Sequence, residues 1–148
     1  MKIYLPILIK TLLMSFSGLS NALTVSCGAS KGYAYYFEGG LVQEKDSGFT
    51  EDSISNGQFS LTVNDKGEAD ILTIDATGAI KSATSQGGNV AIFDAGDGGA
   101  NWLAMYSDGT LEVYSYNVNS NSVASYRNTV GNSNVAKNSL FVSDCSAF

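Results

Sequence analysis

Residues 58–117 alternate short apolar runs with turns, and this pattern constrains the fold more than any other feature of the sequence. The turns recur about every ten residues. They read Asn-Asp-Lys-Gly, Asp-Ala-Thr-Gly, Gln-Gly-Gly, Asp-Ala-Gly-Asp-Gly-Gly and Ser-Asp-Gly. Glycine, asparagine and aspartate reach the positive φ angles that tight hairpin turns need. Runs of this length and spacing are typical of antiparallel strands, so the sequence predicts an all-β fold.

The chain as a whole is predicted to contain eight or nine strands. The first covers residues 32–37 and the last covers residues 137–144, while residues 41–57 are predicted as a long loop with one helical turn at most. Strands that follow one another through hairpins favour an antiparallel up-and-down meander, closed into a small barrel. A two-sheet β-sandwich is the alternative that the pattern leaves open.

The first 22 residues have the layout of a secretory signal peptide. Lys2 supplies the positive charge, apolar runs follow, and Ser20 and Ala22 are the small residues before the cleavage point. The alternative is a membrane-spanning helix. Lys10 opposes it, because it divides the apolar run into pieces too short to cross about 30 Å of hydrocarbon. Residues 23–148 are predicted to form a single β domain.

The charge of the chain excludes two classes of partner. The formal net charge is −6, and loss of Lys2 and Lys10 with the signal makes the mature chain more acidic still. Nucleic acids and anionic lipid surfaces are recognised by clustered lysine or arginine, and the sequence has no such cluster. We therefore predict no nucleic-acid partner and no stable membrane insertion after signal removal.

The two cysteines, Cys27 and Cys145, lie near the ends of the mature domain. An even number of cysteines in an exported protein indicates a disulfide. A bridge between them requires the first and last strands to lie side by side or to face each other. The alternative is a lipoprotein anchored at Cys27, since Ser26 is the small residue that such sites carry before the cysteine. That reading leaves Cys145 unpaired. The domain is expected in the periplasm or outside the cell.

The sequence contains no histidine, the commonest general base and metal ligand. Its absence removes every mechanism that pairs serine or cysteine with histidine. We therefore predict a protein that is not an enzyme and that uses no cofactor. A glycoside hydrolase built on two carboxylates is the alternative. The acids nearest to predicted strands are its candidates: Glu38, Asp70, Asp75 and Glu112.

Asp94 and Asp97 lie in a glycine-rich turn that has some features of a calcium loop. The turn lacks the regular ligand spacing of an EF-hand and its terminal glutamate. A wide hairpin turn explains the same residues, so no metal site is predicted and the two aspartates stay as the candidates if one exists.

Aromatic residues of the central strands form the candidate binding face. Tyr114 and Tyr116 share one face of a predicted strand with Glu112, and Trp102 lies on the preceding strand. If the aliphatic residues between the tyrosines face the core, both tyrosines face outward. Tyrosine and tryptophan combine a large apolar surface with one polar atom, which suits binding sites.

Several segments at matching positions carry a resemblance to known sequences. They are Cys27, Ser-Lys-Gly-Tyr-Ala-Tyr-Tyr-Phe-Glu-Gly-Gly-Leu-Val at 30–42, Asp-Ile-Leu at 70–72, Asp-Ala-Thr-Gly at 75–78, Glu-Val-Tyr at 112–114 and Cys145. Together they resemble a group of short exported bacterial proteins with no assigned function. The resemblance implies export from a bacterial cell and a pairing of the terminal cysteines.

These observations predict a small exported, non-catalytic β-barrel that binds a ligand. The ligand is expected to be a small apolar or sugar-like molecule at one end of the barrel, or an envelope or extracellular protein that meets Tyr114 and Tyr116. The alternative is a structural or envelope-assembly protein, because open sheet edges associate edge to edge. The asparagine-rich end of the chain would supply such an edge.

Overall fold

The computed structural model describes residues 22–74, 77–131 and 134–148, so all of the predicted signal peptide except Ala22 lies outside the described residues. The described chain contains ten strands and one short 3₁₀-helix, Glu44–Asp46. The strands are β1 (Leu23–Tyr36), β2 (Gly48–Ile54), β3 (Gln58–Val63), β4 (Ala69–Ile74), β5 (Ile80–Ser82), β6 (Asn89–Gly96), β7 (Gly99–Met105), β8 (Leu111–Asn117), β9 (Ser122–Asn128) and β10 (Lys137–Ala147).

All ten strands belong to one antiparallel sheet. Nine follow the order β5-β4-β3-β1-β10-β9-β8-β7-β6, and β2 pairs with β1 outside this path. The prediction of an all-β antiparallel meander is confirmed. The sheet curls strongly into a half-barrel whose concave inner face covers the core. Within the described residues no backbone ladder joins β5 to β6, so the curl is less complete than the closed barrel that we expected.

The long first strand β1 lies near the middle of the sheet. Its first half pairs with β3, its second half pairs with β2, and β10 runs along its other side. Cys27 lies directly opposite Cys145 and the two residues form a disulfide. The predicted bridge and the neighbouring positions of the terminal strands are thus confirmed. With its sulfur in this bridge, Cys27 has no thiol for lipid attachment. The bridge indicates an oxidising environment.

Two features of β1 and β2 differ from the prediction. A bulge sets residues 28–29 opposite Asp144 alone, between the pairs Cys27–Cys145 and Ser30–Ser143. It interrupts the alternation, and this is why the first strand was predicted to begin only at residue 32. The predicted long loop contains β2, whose residues are mostly exposed. A strand that buries neither face shows no apolar alternation.

Strands β1, β2 and β10 are also joined by a polar cluster of three side chains. The Tyr36 hydroxyl donates to Asp52 Oδ2 (3.0 Å), and Lys137 Nζ donates to the same oxygen (3.1 Å) and to the Tyr36 hydroxyl (3.2 Å). Burial raises the pKa of Asp52, but the hydrogen bonds from Lys137 and Tyr36 outweigh it and the pKa lies below its usual value. The carboxylate is therefore stabilised in its charged form.

The lowered pKa predicts that Asp52 stabilises the fold at neutral pH and ceases to do so in acid. A group with a lowered folded-state pKa contributes stability above its unfolded pKa and loses it as the pH falls through the folded value. Asp52→Asn should lower the free energy of unfolding by about 0.5–1 kcal/mol at pH 7. The difference from wild type should shrink as the pH falls below the ordinary aspartate pKa of 3.8 and then through the lower folded-state value. Urea unfolding in a series of buffers from pH 7 into this acid range measures it. The exposed Asp46→Asn is the control, and an Asp52→Asn effect that does not change with pH would contradict the prediction.

Candidate functional site

The predicted binding-face residues lie on the concave inner face of the sheet. Trp102, Glu112 and Tyr116 are buried, and Tyr114 is partly buried against the core. The expectation that the two tyrosines face outward is therefore wrong. Strand β8 carries apolar residues on both faces, so alternation alone does not decide which face turns inward. The half-buried Leu111 and Val113 take the outer positions, and the even-numbered residues fill the interior.

Trp102 and Tyr116 serve the core. The Trp102 side chain is fully buried and its indole N–H donates to the carbonyl oxygen of Thr62 (3.2 Å), which links β7 to β3 across the inside of the curl. The Tyr116 hydroxyl donates to Asn121 Oδ1 (3.3 Å) at the β8–β9 turn. Neither side chain lines the cavities described below. These contacts are those of residues that hold the sheet in its curved form.

Glu112 is the centre of a polar network on the inner wall. Arg127 lies directly opposite it on β9, and the Arg127 Nε atom forms a salt bridge with Glu112 Oε1 at 2.9 Å. The Tyr114 hydroxyl donates to Glu112 Oε2 (3.2 Å), and the Tyr106 hydroxyl makes a longer contact with the same oxygen (3.5 Å). Both oxygens of this buried carboxylate are therefore engaged. A charge that is removed from water needs such ion-pair and hydrogen-bond partners.

The two tyrosines of this network keep their protons at neutral pH. Burial, followed by the charge of Glu112, raises the pKa of Tyr106 to about 12. The same two causes raise the pKa of Tyr114 above its usual value. A protonated phenol donates its hydrogen to the carboxylate and leaves its own lone pairs free to accept. The wall thus presents oxygen acceptors and arginine donors side by side.

Two cavities open on either side of the Glu112–Arg127 pair and share Thr73, Glu112 and Arg127 as a common wall. The first, which we call the polar cavity, has a volume of about 270 Å³. It is completed by Ile71, Ala83, Gln86, Tyr106, Asp108 and Thr110. The second, the apolar cavity, has a volume of about 180 Å³. It is bounded mainly by Ile54, Gly57, Phe59, Ile74, Tyr114 and Phe141.

Arg127 is the residue that the sequence analysis missed. It is the one arginine in the sequence. About half of its side chain (56%) is exposed. In the described part of the chain Glu112 is its one ion-pair partner, bound through Nε, and the two terminal amino groups are not engaged by another side chain there. Two features of the sequence could have predicted this residue. It is the single arginine, and the register of the short β8–β9 hairpin places it opposite Glu112.

The other candidate acids have structural roles in the described residues. Asp70 accepts hydrogen bonds from the Ser82 hydroxyl (2.5 Å) and from the backbone N–H of Thr84 (3.1 Å), which fixes the turn after β5. Burial raises the pKa of Asp70, but these hydrogen bonds bring it below its usual value. Glu38 lies just after β1, and Asp75 is outside the described residues. Among these candidate acids, Glu112 is the described one that lines both cavities.

The candidate calcium residues lie in the β6–β7 turn. Asp94 Oδ1 accepts a hydrogen bond from the N–H of Gly96 (2.7 Å), and Asp97 adopts a positive φ of 47° between two glycines that also have positive φ. This is the geometry of a hairpin turn. Among residues 22–74, 77–131 and 134–148, no three Asp, Glu, Cys or His side chains come close enough together to hold a metal ion.

These features define a class: an all-β, disulfide-bonded domain with a charged pair set between two cavities on the concave face of its sheet. No protein-family model, curated protein or solved structure matches this chain. In the described part of the chain, no helix is both long and apolar enough to cross a membrane.

Proposed function

We propose that this is a small exported binding protein that holds a small ligand on the concave face of its sheet and does not catalyse a reaction. The observation that carries the proposal is the Glu112–Arg127 pair between the two cavities. Pockets of this kind are typical ligand sites, because apolar walls with a few fixed polar groups give affinity and orientation together. The exposure of about half of the Arg127 side chain (56%), beside a buried Glu112, points to a role in recognition.

Export is part of the proposal. Three observations support it: the Cys27–Cys145 bridge, which suits an oxidising compartment, the signal-like layout of the first 22 residues, and the resemblance to exported bacterial proteins. The periplasm and the exterior of the cell both meet the redox requirement. A role as a carrier or sensor of a small molecule there needs only a stable fold and a specific cavity.

A second proposal is assembly into a larger envelope structure, and one observation favours it. Strand β2 has no partner on its outer edge in the described part of the chain. Its Phe49 is 83% exposed and packs edge to face against Tyr35. Open edges with exposed apolar side chains invite pairing with another strand.

The first proposal is tested with a substitution that fills the space beside the wall shared by the two cavities. The protein recovered from its native cells is examined by native mass spectrometry, as wild type, as Thr73→Tyr and as Thr50→Tyr. Thr73 lines both cavities, whereas Thr50 is an exposed threonine of β2 that lines neither. We expect a bound small molecule on wild type and Thr50→Tyr, and at least a tenfold lower occupancy on Thr73→Tyr.

Equal occupancy of all three forms would contradict a ligand site at this wall. An absence of bound mass from every form would also contradict it. If those forms then sedimented as oligomers whose size rises with concentration, the assembly proposal would replace the binding proposal.

A further inference from the structure

The two cavities differ in chemistry although they share a wall. One is lined mostly by apolar groups and the other by hydroxyl, amide and charged groups. We infer that the ligand is a neutral amphiphile, with a short hydrocarbon part in the apolar cavity and a hydroxyl-bearing, sugar-like head in the polar cavity. This inference rests on the proposed function and names the ligand class of the same site.

The apolar cavity sets the length of the hydrocarbon part. The side chains of Ile54, Phe59 and Phe141 bound it, and Tyr114 presents its ring there while its hydroxyl is held by Glu112. A methylene group is similar in size to a water molecule, whose share of liquid volume is about 30 Å³. A cavity of about 180 Å³ therefore holds roughly six such groups. A longer chain would have to extend into water and would gain no further affinity.

The polar cavity sets the charge of the head. Its wall carries two carboxylates, Asp108 and Glu112, against the single positive charge of Arg127. Because Arg127 is already paired with Glu112, an anionic head would meet a net negative wall. A neutral head suits the remaining groups, since hydroxyls both donate and accept hydrogen bonds. Gln86 and the Tyr106 hydroxyl are the further polar partners in this cavity.

Arg127 lies where the two parts of such a ligand would join. Its Nε is fixed by Glu112, so the guanidinium plane is oriented before any ligand arrives. The terminal amino groups remain as donors for the ether or hydroxyl oxygens of the head, in the fixed planar geometry of arginine. The same pair separates the cavities, and a ligand that spans both must pass over it.

The experiment uses alkyl β-glucosides of two, four, six and eight carbons, below their micelle concentrations, with isothermal titration calorimetry. The protein is the disulfide-bonded mature chain. We expect affinity to rise about fourfold for each added methylene, because each buried methylene contributes a constant increment. The rise should stop near six carbons. Hexyl sulfate and hexyltrimethylammonium should each bind at least tenfold more weakly than hexyl glucoside.

A pair of neighbouring substitutions in β9 provides the matched control. Ser125 faces the apolar cavity, and Ala124 faces the outside of the sheet. Ser125→Phe should reduce hexyl glucoside affinity at least tenfold and remove the dependence on chain length, whereas Ala124→Phe should leave both unchanged. Glucoside binding that ignores chain length, or stronger binding of either charged amphiphile, would overturn the neutral-amphiphile inference.

The experiments distinguish an error in the ligand class from an error in the proposed binding function. If no alkyl glucoside binds while the native protein still carries a small molecule that Thr73→Tyr excludes, the inference about the ligand class is wrong and the proposed function stands. If neither the glucosides nor a native small molecule binds, both are wrong.

Discussion

Removal of the Cys27–Cys145 disulfide should lower the free energy of unfolding by about 5 kcal/mol, because the bridge closes a loop of more than 100 residues in the unfolded chain. The two cysteines are 118 positions apart. Their bridge therefore restricts the unfolded state of almost the whole domain. A loss of this size is comparable to the total stability of many domains. In thermal unfolding it corresponds to a fall of roughly 15–20 °C in Tm.

Two versions of the bridge-free protein separate the possible causes of that loss. Reduction of wild type breaks the bridge and leaves two free thiols, and Cys27→Ala/Cys145→Ala removes the bridge together with both sulfur atoms. Cys27 is buried in the core, so the double variant also leaves a small cavity. Urea unfolding of reduced wild type with free thiols is the cleanest comparison. A change smaller than about 1 kcal/mol in that form would contradict the loop-entropy account.

Arg127→Met should lower the free energy of unfolding by about 2–3 kcal/mol, because it leaves the Glu112 carboxylate buried without its cation. Breaking a fully buried pair costs more than this. Arg127 has its outer half in water, so the pair is partly screened and the lower figure applies. The reverse change, Glu112→Gln, should cost less, since the exposed arginine is then solvated and the Tyr114 hydroxyl keeps an oxygen acceptor.

The double variant Glu112→Gln/Arg127→Met is the control for this asymmetry. It removes both charges and should recover most of the stability lost in Arg127→Met alone. A double-mutant cycle by urea unfolding gives the coupling between the two side chains. Equal losses in the two single variants, with no recovery in the double variant, would show that the pair acts through side-chain packing rather than through charge.

The sequence predicts most strands because glycine, asparagine and aspartate mark the turns between them. The runs between residues 58 and 117 end at glycines, several of which the structure places at positive φ, including Gly67, Gly78 and Gly109. Strand β2 was not predicted, because neither of its faces is buried and its sequence therefore shows no apolar alternation. The start of β1 escaped because the bulge opposite Asp144 shifts the alternation by one residue. In both places the strand was not predicted because the alternation of apolar and polar residues fails locally.

The candidate site was predicted in part. Glu112 and Tyr114 line the cavities, as a binding role requires, but Trp102 and Tyr116 belong to the core. The sequence could not decide which face of β8 turns inward, because each face carries two large apolar or aromatic side chains: Leu111 and Val113 on one, Tyr114 and Tyr116 on the other. That choice depends on the curl of the entire sheet. The partnership with Arg127 depends in turn on the register of the β8–β9 hairpin.

The central position of β1 and β10 has a consequence for how the chain acquires its structure. The two strands are far apart in the sequence, so the ladder that joins the two halves of the sheet forms only when β10 pairs with β1. The hairpins within β3–β5 and β6–β9 pair neighbouring segments and form early, whereas contacts between distant segments form slowly. We therefore expect the two groups of hairpins to form before the sheet is complete, and to be joined into one sheet when β10 pairs with β1.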